Sequence, residues 1–237
     1  MPYLTTAQKS TILADVPLFA SLAKGDLDAI ASVATTRAIK AREELFHKGD
    51  SGSQVYVVAS GQLKVISTSM DGDDLMFCVL DPGEIIGEIG LLADTPRTAT
   101  VVAITKSELV VIDQREFRSL LRTRPEVSIE LLAVVARRLV RVSEFVEDTQ
   151  FLNLPVRLAK KFVDFAGVHG EPASSGGVLI NLKLSQEEWG DLVGTTRESI
   201  NKQLRTWTSE ELIAVEKGKV IIRDLDAVEK LANCLVL

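Results

Sequence analysis

Little in this chain suits metal or redox chemistry. Among its 237 residues are two cysteines, Cys78 and Cys234. That is too few for a disulfide framework, a four-thiolate metal site or an iron–sulfur cluster. The two histidines, His47 and His169, are isolated in loop-like surroundings that suit surface groups, and no metal-ligand spacing accompanies them. Asp71-Gly72-Asp73-Asp74 is too short for a calcium loop and reads as a hairpin turn. Long apolar runs are missing too. Leu131-Leu132-Ala133-Val134-Val135-Ala136 is far short of a bilayer span, and Met1 to Lys9 has no charged-then-apolar export pattern. The expectation is a cytoplasmic protein away from membranes, with no metal, no cofactor and no catalytic constellation, hence not an enzyme. Cys78 is expected to be a small core residue.

Positive charge is not in excess either. The net charge is -6, which excludes a protein that coats nucleic acid by bulk charge. The acidity is uneven, because residues 151–237 balance near -1 and residues 1–150 near -5. Any DNA contact by the last third must come from a local cluster. What the chain has in plenty is apolar surface: 46% of residues are hydrophobic and 25% charged, enough to offset the entropy of ordering the chain.

From about residue 35 to 113 the punctuation predicts β structure. Gly49-Asp50-Ser51-Gly52, Ser60-Gly61, Asp71-Gly72-Asp73-Asp74 and Asp81-Pro82-Gly83 are turn clusters. Between them lie short apolar runs such as Gln54-Val55-Tyr56-Val57-Val58 and Leu75-Met76-Phe77-Cys78-Val79-Leu80. This spacing predicts a sandwich or jelly-roll barrel, bracketed by helical patterning at about 5–33 and 115–123.

A long helix is expected from Pro125, which suits a first helical turn. Leu132, Val135, Leu139, Val142 and Val146 recur at alternating steps of three and four, continuing to Thr149 and Asn153. Two readings fit. The helix either lies on its own domain's core or pairs with a second copy as a coiled coil, and the narrow seam flanked by Arg137, Arg138, Arg141 and Glu144 favours pairing. The pattern stops near Leu152-Asn153-Leu154-Pro155, where the proline permits a hinge.

The stretch Gly87-Glu88-Ile89-Gly90-Leu91-Leu92-Ala93-Asp94-Thr95-Pro96-Arg97-Thr98-Ala99-Thr100 offers what a sugar phosphate needs. Gly87 and Gly90 allow close backbone approach. Ile89 to Leu92 can form one helical turn favouring an anion. Arg97 can bind a phosphate through paired hydrogen bonds, and Glu88 can accept from a ribose hydroxyl. The structural alternative is a tight turn with an Arg–Glu surface pair.

In the last third, Ser185-Gln186-Glu187-Glu188 reads as a capping box opening a helix. Gly194 supplies a turn, and Thr195-Thr196-Arg197-Glu198 reads as a second capping box. At about 100° per residue, Ile200, Leu204 and Trp207 share one face, opposite Arg197, Glu198, Asn201, Lys202 and Arg205. That is the layout of a DNA-reading helix-turn-helix, or of a helical hairpin with a solvated charged face.

The cassette from Gly87 to Thr100, with Phe46-His47-Lys48-Gly49-Asp50 and Tyr56-Val57-Val58 before it and Val101-Val102-Ala103 after it, resembles that of cyclic-nucleotide-binding domains. With the long helix and the final third, the resemblance covers nearly the whole chain. The chain is identified by it as a member of the cyclic-AMP receptor protein (catabolite activator) family of bacterial transcription regulators, in the Crp/Fnr superfamily. The resemblance implies an α+β chain in three parts. A cyclic-nucleotide-binding β-roll (double-stranded β-helix, jelly-roll-like) spans 1–124, a coiled-coil dimerisation helix and hinge 125–152, and a winged helix-turn-helix 153–237. It implies that Arg97 neutralises the cyclic phosphate and that Glu88 holds the ribose 2′-hydroxyl. Gly87, Ile89 and Gly90 and the backbone of Thr98 and Ala99 complete the cradle. Arg138 would neighbour Glu88. Ser143 matches a position reaching the nucleotide bound in the partner subunit.

Two residues bear on the base. Thr98 replaces the serine common in bacterial members and is similar to cyclic-GMP-selective domains. Val142 replaces a threonine that contacts adenine in the family's best-known member. Cyclic AMP stays first, as the commoner ligand of the family, with cyclic GMP close behind. On the DNA side, Arg197 and Glu198 match the family's base-reading pair, suited to guanine and to the cytosine amino group. The alternative for Glu198 is a role as capping-box partner only. Thr195, Thr196 and Asn201 lie on the same reading surface. Lys202 stands where the best-known member has an arginine, and a lysine lacks the fixed fork. Leu212 to Ile222 looks like the wing, with Lys217 and Lys219 meeting phosphates. Iron–sulfur sensing would need a cysteine cluster, and heme sensing would normally lose the Glu88/Arg97 cassette. The implied partners are a two-fold symmetric DNA operator, a second copy of the chain, a cyclic mononucleotide and RNA polymerase. The alternatives are a nucleotide-binding module acting on a protein partner and a regulator that binds DNA without ligand.

Overall fold

A computed structural model describes residues 4–234. Its contacts divide the chain into two compact units, Met1–Val140 and Arg141–Leu237, so the division falls inside the long helix.

The first unit opens with α1 (Thr6–Ala14), whose capping box pairs Thr5 with Gln8, a 3-10 turn (Pro17–Phe19) and α2 (Lys24–Val33). Eight strands follow: β1 (Thr35–Ile39), β2 (Glu44–Phe46), β3 (Gln54–Ser60), β4 (Leu63–Thr68), β5 (Asp74–Leu80), β6 (Ile85–Ile86), β7 (Thr100–Ala103) and β8 (Ser107–Asp113). They form two antiparallel sheets in the orders β1-β8-β3-β6 and β2-β7-β4-β5. This is the expected jelly-roll connectivity. The helix α3 (Glu88–Ala93) interrupts the roll between β6 and β7, and α4 (Gln114–Thr123) and α5 (Pro125–Phe151) leave it.

The run Val55-Tyr56-Val57-Val58 is apolar throughout because β3 is covered on both faces. Side chains alternate across a strand. Val55 and Val57 pack with Phe19, Leu27, Phe117, Val127 and Leu131 of the helices, while Tyr56 and Val58 face the roll interior with Leu45, Leu63, Val101 and Leu109. Each such buried valine or leucine contributes about 1.5–3 kcal/mol. Cys78 does not sit in this core. It is half-buried on β5, packed against the edge of the interior cluster.

α5 begins at Pro125, buries Val127 and Leu131 in its own unit, then presents its seam outward. Leu132 is 67% exposed and Leu139 66%, with Val142 and Val146 also exposed. The reading in which the helix lies on its own core therefore holds for the face carrying Val127, Leu131, Val134 and Arg138, and not for the seam.

The second unit holds α6 (Leu154–His169), β9 (Gly170–Pro172), β10 (Val178–Ile180), α7 (Gln186–Val193), α8 (Arg197–Ser209), β11 (Ile213–Glu216), β12 (Lys219–Ile222) and α9 (Leu225–Ala232), with sheet order β11-β12-β10-β9. Phe162 of α6 lies between Trp189 and Trp207, with ring centroids 4.9 and 5.7 Å away in edge-on geometry. This anchors α7 and α8 on α6. His169 ends α6 rather than lying in a loop, its ring 5.6 Å from that of Phe165. Among the described residues, no helix is long and apolar enough to cross a membrane, and no group of three or more His, Cys, Asp or Glu side chains could hold a metal ion.

Candidate functional site

Arg97 is held from both its backbone and its side chain. Gly49 N–H donates to its carbonyl at 2.8 Å, and its own N–H donates to Asp50 O at 2.9 Å. Lys48 N–H donates to Thr100 Oγ1 at 3.0 Å. The Phe46–Asp50 turn is therefore the mount for the arginine. Arg97 as a whole is 6% exposed. Nη1 donates to Gly87 O at 3.1 Å, Nη2 donates to Gln54 O at 2.8 Å, and the cation lies 4.2 Å from the Phe46 ring centroid and 5.7 Å from that of Tyr56. A methyl group added at Gly52 or Gly87 would overlap it. Gly87 also needs its left-handed backbone, φ 89°, to turn from β6 into α3. Burial pulls the Arg97 pKa below the ordinary guanidinium value, opposed by Tyr56, Glu88 and Asp50, and the group stays a cation regardless.

Glu88 is the first residue of α3 and is wholly buried. Oε1 accepts from Arg138 Nη1, and Arg138 Nη2 donates to Ile85 O at 2.5 Å. Oε2 is buried without a hydrogen-bond partner. Burial pushes this carboxyl above its ordinary range, against the opposing charges of Arg138 and Arg97. A buried carboxylate oxygen that lacks a donor costs about 1–3 kcal/mol or more. The first unit thus presents a cation suited to an anion and, in the same loop, an acceptor suited to one hydroxyl. Gly90 and Ala99 are half-buried, while Ile89 and Thr98 are exposed. Val142 and Ser143 are exposed farther along α5.

In the second unit, α7 opens with the expected capping box. Glu188 N–H donates to Ser185 Oγ at 3.1 Å and Ser185 N–H to Glu188 Oε2 at 2.8 Å. It closes on Gly194 at φ 67°. The second capping box is corrected. Thr195 N–H is consumed by Gly190 O at 3.0 Å in closing α7, so α8 starts one residue later. Thr196 is its N-cap, accepting from Ser199 N–H at 3.2 Å. Glu198 falls at the second helical position and is exposed. It is not the capping partner.

Ile200, Leu204 and Trp207 are buried, and Arg197, Lys202 and Arg205 are exposed with Glu198. Asn201 is half-buried, its Oδ1 3.5 Å from Gln186 Nε2. Thr195 is half-buried and Thr196 exposed. The β11–β12 ribbon turns through Lys217 at φ 52° and Gly218 at φ 81°, the primed hairpin geometry. Lys217 is exposed, whereas the Lys219 ammonium donates to Asn181 Oδ1. Lys183 also reaches the ribbon tip, since a methyl on Gly218 would lie 3.3 Å from its Cε. Sequence reading missed Lys183, Gln54 and Gly52, because only tertiary proximity brings them to these places.

Two segments of the chain match known families. Residues 36–124 match the cyclic nucleotide-binding domain and residues 156–231 the Crp-like helix-turn-helix domain. The chain is 33% identical over 190 residues to a CRP-like cAMP-activated global transcriptional regulator of Mycobacterium tuberculosis, covering 80% of this chain and 84% of that one. It is similar to the solved catabolite activator protein of Thermus thermophilus, with 28% identity, a TM-score of 0.52, and 91% and 98% of the two chains covered. A c-di-GMP responsive global regulator of Xanthomonas campestris shares the fold at TM-score 0.75 and 22% identity, over 85% of this chain and all of that one.

Proposed function

The chain belongs to the CRP/FNR family of DNA-binding transcription regulators, and from that premise we propose that it is a cytoplasmic homodimer whose grip on a two-fold symmetric operator is controlled by cyclic AMP. Cyclic GMP is the second candidate. The observation that carries the ligand assignment is the buried, donorless Oε2 of Glu88 in the same loop as the buried Arg97 cation. A 3′,5′-cyclic ribonucleotide supplies both counterparts, a monoanionic phosphate for Arg97 and a 2′-hydroxyl for Glu88. Gly87, Ile89, Gly90, Thr98 and Ala99 line the phosphate side. Arg138 fixes the second oxygen of Glu88. Val142 offers an apolar edge to a base, and Ser143 a hydroxyl to the nucleotide bound in the partner subunit. The preference for cyclic AMP is supported by the cAMP-activated relatives. Thr98 keeps the guanine nucleotide in contention.

On the DNA side, Arg197 and Glu198 read base edges, Thr195, Thr196, Asn201 and Lys202 adjoin them, and Lys217 and Lys219 of the wing meet phosphates. The exposed seam of α5 joins the two copies, and the bound dimer meets RNA polymerase. The exposed Arg197, Lys202 and Arg205 form the local basic cluster that a near-neutral domain needs in order to hold DNA.

Calorimetric titration tests the ligand assignment. Cyclic AMP is expected to bind, and 2′-deoxy cyclic AMP to bind more weakly by about 1–3 kcal/mol, because Glu88 Oε2 stays unpaired. Arg97→Ala is expected to lose about 2–5 kcal/mol. Equal affinity for the ribo- and deoxynucleotides, or no loss in Arg97→Ala, would overturn the assignment.

A further inference from the structure

Adjacent residues of a regular strand point to opposite faces of the sheet. Leu45 and Phe46 of β2 break that rule. Leu45 is buried in the roll interior, and the half-buried Phe46 packs against the same cluster. The cause is visible in the pairing with β7. Glu44 stands opposite Val102 and Phe46 opposite Val101, so β2 spends two steps where β7 spends one. A bulge of this kind re-aims a side chain. Here the side chain it re-aims is the ring of Phe46.

That ring meets the Arg97 guanidinium, whose carbon lies 4.2 Å from the ring centroid. Tyr56 supplies a second ring, its centroid 5.9 Å from that of Phe46 and 5.7 Å from the cation. The Tyr56 hydroxyl donates to Gln54 Oε1 at 3.0 Å, which ties this ring to the residue whose carbonyl accepts from Arg97 Nη2. Gly52 closes in on the same group, since a methyl there would overlap Nε, Cζ and Nη2. Gly87 O and Gln54 O take one N–H from each Nη. A guanidinium has five N–H donors, so three are left for an anion. The carbonyls fix edges of the cation, and the aromatic face attracts it through the ring quadrupole.

We propose that Phe46 is a positioning residue of the phosphate site, its ring holding the Arg97 guanidinium in the receiving orientation before any ligand arrives. An arginine side chain has much rotamer freedom to lose. If the fold has already removed it, the anion does not have to. Without the ring, Arg97 spends part of its time in other rotamers, and apparent affinity falls by the fraction that remains competent. A leucine at position 46 can fill the same space against the roll interior, but it has no quadrupole to hold a cation. The inference rests on the proposed role of Arg97 as the phosphate cation, and its test has one arm that needs no ligand.

The test uses the full-length chain with Phe46→Leu and with Phe46 replaced, through a reassigned codon, by mono-, di- and trifluorinated phenylalanine. Fluorine keeps the shape of the ring and drains its face of negative potential, so these variants keep the packing and the fold. Cyclic AMP affinity by calorimetry is expected to fall in order of fluorine count, by about three- to tenfold for the trifluorinated ring. Phe46→Leu is expected to lose at least as much. The second arm is heteronuclear NMR of the nucleotide-free protein. The Arg97 Nε–H resonance, assigned by its disappearance in Arg97→Ala, is expected upfield of a free arginine because of the ring current, and to move to the free position in Phe46→Leu. An Arg97 resonance that is unaltered in Phe46→Leu would overturn the proposal. So would affinities that ignore fluorination while Phe46→Leu weakens binding, since the ring would then be only a filler. Failure of every cyclic nucleotide to bind the wild type would instead sink the ligand assignment, and the Arg97 resonance would still decide whether Phe46 holds the cation.

Discussion

Glu88 and Arg97 are both taken out of water, and they are compensated unequally. Arg97 has two carbonyls and an aromatic face, while Glu88 has one oxygen on Arg138 and one with nothing. Burial raises the Glu88 pKa above the ordinary 4.5, so the folded chain holds this proton more tightly than the unfolded one. The contribution of this group to stability is present below the unfolded value and is lost as pH rises through the folded one. Nucleotide binding runs the other way, because a 2′-hydroxyl donates to the ionised form. Cyclic AMP affinity is expected to fall as pH drops through the raised Glu88 pKa, with proton uptake opposing binding. In Glu88→Gln the affinity should be lower at neutral pH and flat over the same interval. Calorimetry at a series of pH values checks this, and a wild-type affinity that does not change with pH would contradict it.

At the scale of elements, α8 presents one wall to the core and the other to solvent. Arg197→Ala is expected to cost about 1–3 kcal/mol on the preferred DNA site and to remove preference at one guanine position. Cyclic AMP affinity should not change. Equal loss on specific and random duplexes, measured by anisotropy titration, would mean that Arg197 touches only backbone. Much of this level was legible in the sequence. Turn clusters and short apolar runs announced the β-roll, and the three-four spacing after Pro125 announced the long helix. The start of α8 slipped by one residue because Thr195 and Thr196 are equally good caps. What decided between them was Gly190 O, which claims the Thr195 amide. The hydrogen bonds of Arg157 to Leu152 O and Gly194 O were not legible, since one partner lies in the α5–α6 junction and the other in the turn after α7. Nor was the pinned ammonium of Lys219, whose partner Asn181 is 38 positions away.

For the whole molecule, the apolar seam of α5 is the surface on which the proposed pairing rests. Leu132, Leu139, Val142 and Val146 stand exposed in the single chain, and knobs of this type at heptad spacing call for a second helix. Leu139→Glu should leave each chain folded, since the residue buries little in its own unit, and should shift sedimentation toward monomer. A variant that stays dimeric would place the contact elsewhere. In the proposed dimer, two reading heads would meet half-sites about 34 Å apart on the duplex, and one head alone would forfeit the second set of contacts. A ligand shifts such an equilibrium only by its different affinity for the two states. The measurement that bears most directly on the account is the anisotropy titration of a two-fold symmetric duplex, selected by the protein from a random pool, with and without saturating cyclic AMP at fixed salt. The account expects the nucleotide to tighten wild-type binding at least about tenfold, roughly 1.4 kcal/mol, and to do nothing for Arg97→Ala. Identical curves for the wild type with and without nucleotide would contradict it.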